Sequence, residues 1–385
     1  MAKRTTQVQK PLSGRVAVVA GATRGAGRGI ARALGEAGAI VYCTGRSVKG
    51  NPSPYNRPET IDETAEMIVA AGGTAIPVRV DHTQESEVEG LFARVDREHG
   101  RLDIVVNSIA GEDPLAGAYG WFWDADLTNT TRALENSLVS HIITAKHAAK
   151  LMMRARTGLI VEVTEGDSLG AGGNPVKQVV KLALKGNALA MASELHPHGV
   201  AAVAITPGFL RSESMLEGFG VTEKNWRDGG KKDKNFLTSE SPLYIGRAVA
   251  ALAADPKIMR RTGQLFSSWE LARDYKFTDA DGTRPDWGRL KIDFSGMPPD
   301  FLAYFRIGGG LTLEWLDRVT TRLKSFGKQL PPSPKASARQ GRTTKASAGQ
   351  GRKKAGRKGK AGRHSTTRPT RTKKTRPTKR KTRAV

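Results

Sequence analysis

Residues 15–38, RVAVVAGATRGAGRGIARALGEAG, constrain the fold of this chain more than any other stretch. Residues 16–20 are a short, valine-rich apolar run of the kind that fills a strand buried on both faces. Gly21-Ala22-Thr23-Arg24-Gly25-Ala26-Gly27 follows, then alanines and leucine at helical spacing as far as Ala37. Strand, glycine-rich turn and helix in that order make a phosphate cradle. The glycines permit the tight turn and a close backbone approach, while the helix start supplies free N–H groups and a positive dipole end. A dinucleotide diphosphate is therefore expected against Gly21, Thr23, Arg24, Gly25 and Gly27.

The pattern continues downstream. Strands are predicted at residues 39–44, 74–80, 102–106, 159–164, 200–206 and 263–267, with helices at 60–71, 85–99, 134–156, 176–195 and 242–253 among them. Such alternation predicts a doubly wound, Rossmann-type α/β fold, with a parallel sheet, right-handed crossovers and helices on both faces. Beyond Trp269 the pattern loosens. Residues 311–326 still place Leu316, Val319, Leu323 and Phe326 on one helical face, which suits a cap or a dimer contact.

The net charge of +25 is unevenly spread. Of 62 lysines and arginines, 21 lie in residues 328–385, which hold no Asp or Glu; the rest of the chain sets 41 cations against 37 carboxylates. The tail is repetitive (KASARQGR at 335–342, nearly repeated at 345–352) and too poor in large apolar residues to offset its ordering entropy. It is expected to be disordered and to bind nucleic acid or another polyanion without sequence preference. The organisation read from the sequence is an N-terminal arm at 1–11, a main domain at 12–268, an extension at 269–328 and the basic tail at 329–385.

A lone cysteine, Cys43, excludes an intramolecular disulfide and suits a reducing compartment. No apolar run reaches membrane-spanning length, and residues 1–10 lack an apolar core, so a soluble, cytoplasmic protein is expected. His141 and His147 lack the i, i+4 spacing of a helical metal pair, and no metal site is expected.

These motifs resemble the short-chain dehydrogenase/reductase family over residues 12–268. The glycine run is close to its TGxxxGxG, with Ala20 in place of the threonine. Asp81, followed by His82, matches its adenine-contacting Asp after the third strand, and Asn107-Ser108-Ile109-Ala110-Gly111 is a loose version of its NNAG. Pro207-Gly208 matches the PG after its sixth strand, and Glu270-Leu271-Ala272-Arg273-Asp274-Tyr275 resembles a narrower branch. The resemblance implies an oxidoreductase using a nicotinamide dinucleotide on a carbonyl or alcohol, and a symmetric homo-oligomer. The loop at 119–123 and the segment after Pro207 are expected to line a largely apolar substrate pocket.

Folds of this kind that select NAD place a carboxylate at the end of the second strand, where the ribose hydroxyls need an acceptor. Here that strand ends Cys43-Thr44-Gly45-Arg46. Arg46 and Arg24 offer planar forks for a 2′-phosphate, so NADP is expected over NAD.

The family carries a Tyr-x-x-x-Lys pair on its sixth large helix, a serine about thirteen residues earlier and an asparagine on the preceding long helix. By motif position the lysine is Lys181, and Lys177 stands where the tyrosine would be. Thr164 takes the serine position and Ser137 the asparagine position, with Asn136 adjacent. Three readings follow. A different acid has taken over, with Lys177 favoured by like charge and partial burial, and Glu165, Asp167 and Tyr119 also placed by position. Alternatively the body binds the dinucleotide without turnover, as a sensor or scaffold. In the third, the body carries a polyanion-binding tail.

Overall fold

The computed structural model describes residues 10–52, 57–110, 123, 126–167 and 175–289. The arm before Lys10, Tyr119, the helix expected at 311–326 and the tail lie outside the described residues.

Seven strands form one fully parallel sheet in the order β3-β2-β1-β4-β5-β6-β7. They are β1 (Val16–Ala20), β2 (Ile40–Gly45), β3 (Thr74–Arg79), β4 (Ile104–Asn107), β5 (Gly158–Val163), β6 (Val200–Thr206) and β7 (Leu265–Ser267). The expected Rossmann-type architecture is thus what forms. The strand order reverses beside β1, whose Ala20 pairs with Thr44 of β2 on one side and Asn107 of β4 on the other. A crevice opens at such a switch point, beyond the C-terminal ends of the strands.

Period-two alternation divides the core between two faces. Ala17, Val19, Val41 and Cys43 pack toward α1 (Gly25–Glu36), α2 (Ile61–Ala70) and α8 (Pro242–Ala254). Val16, Val18 and Tyr42 face α3 (Glu85–His99), α5 (Ser140–Ala155) and α6 (Pro175–Leu195). Each fully buried valine contributes about 1.5–3 kcal/mol. Burial pushes the Cys43 thiol up to about 12, so it is a packing group and not a nucleophile. β3, at the edge, has no fully buried residue and tolerates Pro77. α1 and α8 cross through glycines: a Cβ on Gly29 would strike the Pro242 carbonyl, and one on Gly246 the Gly29 carbonyl.

The helix predicted at 134–156 begins earlier and is interrupted. α4 (Leu127–Leu134) starts where Asp126 accepts the Thr128 N–H at 2.8 Å. A π-turn at Glu135–Val139 then leads into α5. The Ser140 hydroxyl donates to the Asn136 carbonyl at 2.7 Å, one turn back, and the extra residue of the π-turn leaves Asn136 and Ser137 buried. Past β6, α7 (Glu213–Phe219) crosses toward the glycine turn, and α9 (Ser268–Tyr275) opens with a capping box between Ser267 and Glu270. Leu271 of α9 joins the core face that holds Val19 and Ile205.

Candidate dinucleotide and active site

The glycine turn leaves β1 with Gly21 at φ +84°, and its N–H and that of Ala22 both donate to the Thr44 carbonyl at 3.0 Å. A Cβ on Gly21 would lie 2.5 Å from the Ser108 carbonyl oxygen, and one on Gly27 would strike the Gly21 carbonyl. Both positions therefore require glycine, and Gly25, at φ +55°, favours it. Arg24 is the extended N-cap of α1 and makes no side-chain cap, while the Thr23 carbonyl accepts from Arg28 Nε at 3.0 Å. A narrow turn, a helix start and arginines around it fit a dinucleotide diphosphate.

Arg46 follows β2 directly, with its side chain one-third exposed and Nη1 3.9 Å from Asp81 Oδ2. Burial works to raise the Asp81 carboxyl. The Thr83 hydroxyl and amide, with Arg46 and Arg79 nearby, nevertheless hold it below the usual carboxylate range. Asp81 is thus an anion at the sheet end, where the adenine position was expected. Two other expected cofactor contacts have their side chains committed elsewhere. His82 is buried with both ring nitrogens engaged, by Thr44 Oγ1 and Thr144 Oγ1 at 2.8 Å each, and burial lowers it to about 3, leaving it neutral. Asn107 is buried and donates to the His141 carbonyl at 3.2 Å and to Glu162 Oε1 at 2.8 Å.

The expected catalytic residues lie at the far end of β5, on α6 and in the π-turn. Thr164 is buried, and its hydroxyl donates to the Lys181 carbonyl at 2.9 Å, pinning the strand end to α6. In this geometry the hydroxyl hydrogen points at that carbonyl, leaving its lone pairs as acceptors. Ser137 is fully buried in the π-turn. Glu165, the next residue after Thr164, is instead about half exposed, and its Oε2 lies 3.0 Å from Lys177 Nζ. Lys177, Lys181 and Lys185 recur at i, i+4 and i+8 along α6, so they share one face. Burial lowers Lys185 to about 8, with Lys181 adding and Asp167 and Glu165 opposing.

Pro207 and Gly208 follow the C-terminal end of β6 directly. The Thr206 hydroxyl donates to the Pro207 carbonyl and accepts the Gly166 N–H, both at 2.9 Å. The Gly208 N–H donates to Glu240 Oε2 at 3.0 Å, and the Ser268 hydroxyl reaches the same oxygen at 2.5 Å. Sequence reasoning missed Glu240, which nothing local distinguishes from a surface carboxylate. It also missed the buried set around Glu162, whose Oε2 meets His141 Nδ1 at 2.5 Å while His141 Nε2 faces the Ile109 carbonyl at 2.9 Å. A glutamate within the apolar run GLIVEV was the one available signal for that set. Among the described residues, no cluster of three His, Cys, Asp or Glu side chains is arranged to hold a metal ion.

Glu240 makes stability depend on pH. Complete burial, with Asp279 adding, raises its carboxyl to about 8 against hydrogen bonds from Ser268 and Gly208 and the charge of Arg211. Between its ordinary value near 4.5 and about 8, the folded state holds a proton that the unfolded state has lost. Stability attributable to this group therefore falls as pH rises through that window. Glu240→Gln should flatten the decline, measured as urea midpoints from pH 5 to 8; an unchanged slope would assign the dependence to other groups.

Residues 21–265 match the family described as enoyl-(acyl carrier protein) reductase. The chain is 38% identical over 277 residues to dehydrogenase/reductase SDR family member 1 of Mus musculus, covering 71% of this chain and 85% of that protein. It is 37% identical over 276 residues to the Homo sapiens protein of that name, with the same coverage. Hydroxysteroid dehydrogenase from Escherichia coli aligns with a TM-score of 0.53 at 22% identity, over 66% of this chain and 95% of that one. An actinorhodin polyketide ketoreductase solved with NADPH gives a TM-score of 0.54 at 22% identity, over 68% and 97%. The structural likeness establishes the fold, and the sequence relatives carry the assignment further. Identical to those relatives at more than a third of the aligned positions across most of their length, the chain belongs to the short-chain dehydrogenase/reductase family of oxidoreductases.

Proposed function

We propose that the protein is an NADP(H)-dependent oxidoreductase that interconverts a carbonyl and an alcohol, with Lys177 carrying the proton that the family's tyrosine would carry. The observation that carries this reading is the Lys177–Glu165 pair at 3.0 Å, on the helix face that also holds Lys181. When bound, the nicotinamide supplies or accepts the hydride. Lys181 would hold the nicotinamide ribose, as the lysine at that position does in the family. The Lys177 ammonium hydrogen-bonds the substrate oxygen and gives up its proton as the carbonyl becomes an alcohol. Glu165, 3.0 Å from Lys177 Nζ and about half exposed, stands where a proton can be relayed from water back to Lys177 between turnovers.

Support for NADP over NAD comes from Arg46 at the end of β2, where no carboxylate stands, with Arg24 in the adjoining turn. Support for a largely apolar substrate comes from the aromatic cluster after Pro207, in which Phe209 meets Phe236 at 5.4 Å and Trp287 at 5.5 Å. Exposed Val139, Ile142, Val179 and Leu189 on the α5–α6 side support symmetric self-association. Twenty-one cations without one carboxylate in residues 328–385 favour a second activity, polyanion binding.

The test is steady NADPH oxidation across a panel of ketones and quinones. Turnover with at least one is expected, and Arg46→Ala should weaken NADPH binding about tenfold while leaving NADH unchanged. Coenzyme binding without turnover on any of them would favour the sensor or scaffold reading. Equal affinity for both coenzymes, insensitive to Arg46→Ala, would remove the NADP assignment.

A further inference from the structure

The start of α1 is already occupied by an anion from within the chain. The Gly25 N–H, first in the helix, donates to Glu213 Oε2 at 2.8 Å across 188 positions of sequence. The other oxygen of Glu213 lies 3.5 Å from Arg28 Nη1, a nearly buried guanidinium that also binds Glu63 at 2.7 Å. No acidic residue stands in the first turn of α1 and Arg24 makes no cap, so Glu213 supplies the partner that the helix start lacks locally. One turn along α7, Glu217 lies 2.8 Å from Arg57, which also binds Glu59. α7 therefore reaches back from β6 and fastens two carboxylates onto the glycine turn and the segment before α2. A cleft of about 670 Å³ lies between, lined by Arg28, Lys49, Glu59, Glu63, Glu213 and Glu217.

We infer that α7 is a latch whose Glu213 carboxylate stands in for a phosphate at the α1 N-terminus and must leave when a dinucleotide diphosphate enters. The inference rests on the proposal that the glycine turn receives that diphosphate. The Gly25 N–H is one donor and Glu213 already occupies it, so a phosphate taking that N–H must displace the carboxylate, with like-charge repulsion adding to the competition. The latch lowers apparent coenzyme affinity by the fraction of molecules in which it is open. It also ties that affinity to the segment after Pro207-Gly208, so that a dinucleotide arriving at one end of the crevice frees the chain at the other. Glu217–Arg57 is more exposed and contributes less.

The experiment is calorimetric titration of the full chain and its Glu213→Ala and Glu213→Gln variants with NADPH, ADP and adenosine, with hydrogen exchange followed in residues 213–219. Glu213→Ala should bind NADPH and ADP about tenfold more tightly, Glu213→Gln should fall between, and adenosine, which has no phosphate, should be unaffected. Amides of α7 should lose protection in Glu213→Ala without ligand and in the wild type when NADPH is added. Unchanged thermal midpoints would show that the variants fold. Wild-type binding of NADPH with equal or weaker binding by Glu213→Ala would overturn the latch but leave the dinucleotide reading standing. Binding by Glu213→Ala alone would support it. Binding by neither chain at millimolar NADPH would overturn the dinucleotide reading, and the latch with it.

Discussion

Replacing Lys177 by methionine is expected to lower kcat for NADPH-dependent carbonyl reduction by about 10²- to 10⁴-fold, with little change in coenzyme affinity. Methionine keeps the length and the apolar stem of the side chain but removes the only proton that the proposed mechanism delivers to the substrate oxygen. A loss confined to kcat places the missing interaction in the transition state, because uniform binding would appear in KM. Two companion variants separate chemistry from charge. Lys177→Arg preserves the ion pair with Glu165 but holds its proton too tightly to donate, and should be nearly as inactive. Lys177→Tyr restores the side chain that the family carries at this position and should recover activity. Wild-type kcat in Lys177→Met would move the acid role elsewhere, first to Glu165.

The second large effect is on stability. His141→Ala should destabilise the protein by about 3–5 kcal/mol and lower its melting temperature by about 10 °C. Glu162 sits fully buried near the end of β5, and its Oε2 is hydrogen-bonded to His141 Nδ1 at 2.5 Å. Alanine removes that partner and frees the Ile109 carbonyl that His141 Nε2 had held, so the loop after β4 should loosen as well. The Asn107 amide remains on Glu162 Oε1 but cannot compensate for a charge or an unsatisfied acid in the interior. Replacing both partners, His141→Leu with Glu162→Leu, removes the buried polar pair together and should be less damaging than His141→Ala. Differential scanning calorimetry decides the matter: a midpoint within about 2 °C of wild type for His141→Ala would show the pair to be dispensable.

Several elements were legible because their causes are local. β1, the glycine turn and α1 follow from valine run, glycine spacing and helical period, all within residues 15–38. Lys181 could be placed by counting along a helix, whose period is rigid. Counting across the turn after β5 was less secure, since loop length is not fixed by chemistry. Adjacent residues at a strand end turn opposite ways, so one step exchanges the buried staple Thr164 for the outward Glu165. His82 followed the adenine-contacting Asp81 in sequence, yet its two nitrogens were claimed by Thr44 and Thr144 from separate elements.

The sequence by itself therefore determined the parallel sheet and the glycine cradle, because periodicity and backbone freedom are properties of neighbouring residues, while the strand order with its reversal beside β1 came from the packed structure. Only the tertiary structure decided which donors each carboxylate meets and how deeply it is buried there. Glu213 finds Gly25, Glu162 finds His141 and Glu240 finds Gly208 across 188, 21 and 32 positions. The charge state and use of a glutamate depend on the dielectric and the donors around it. Those are fixed only when distant segments have packed.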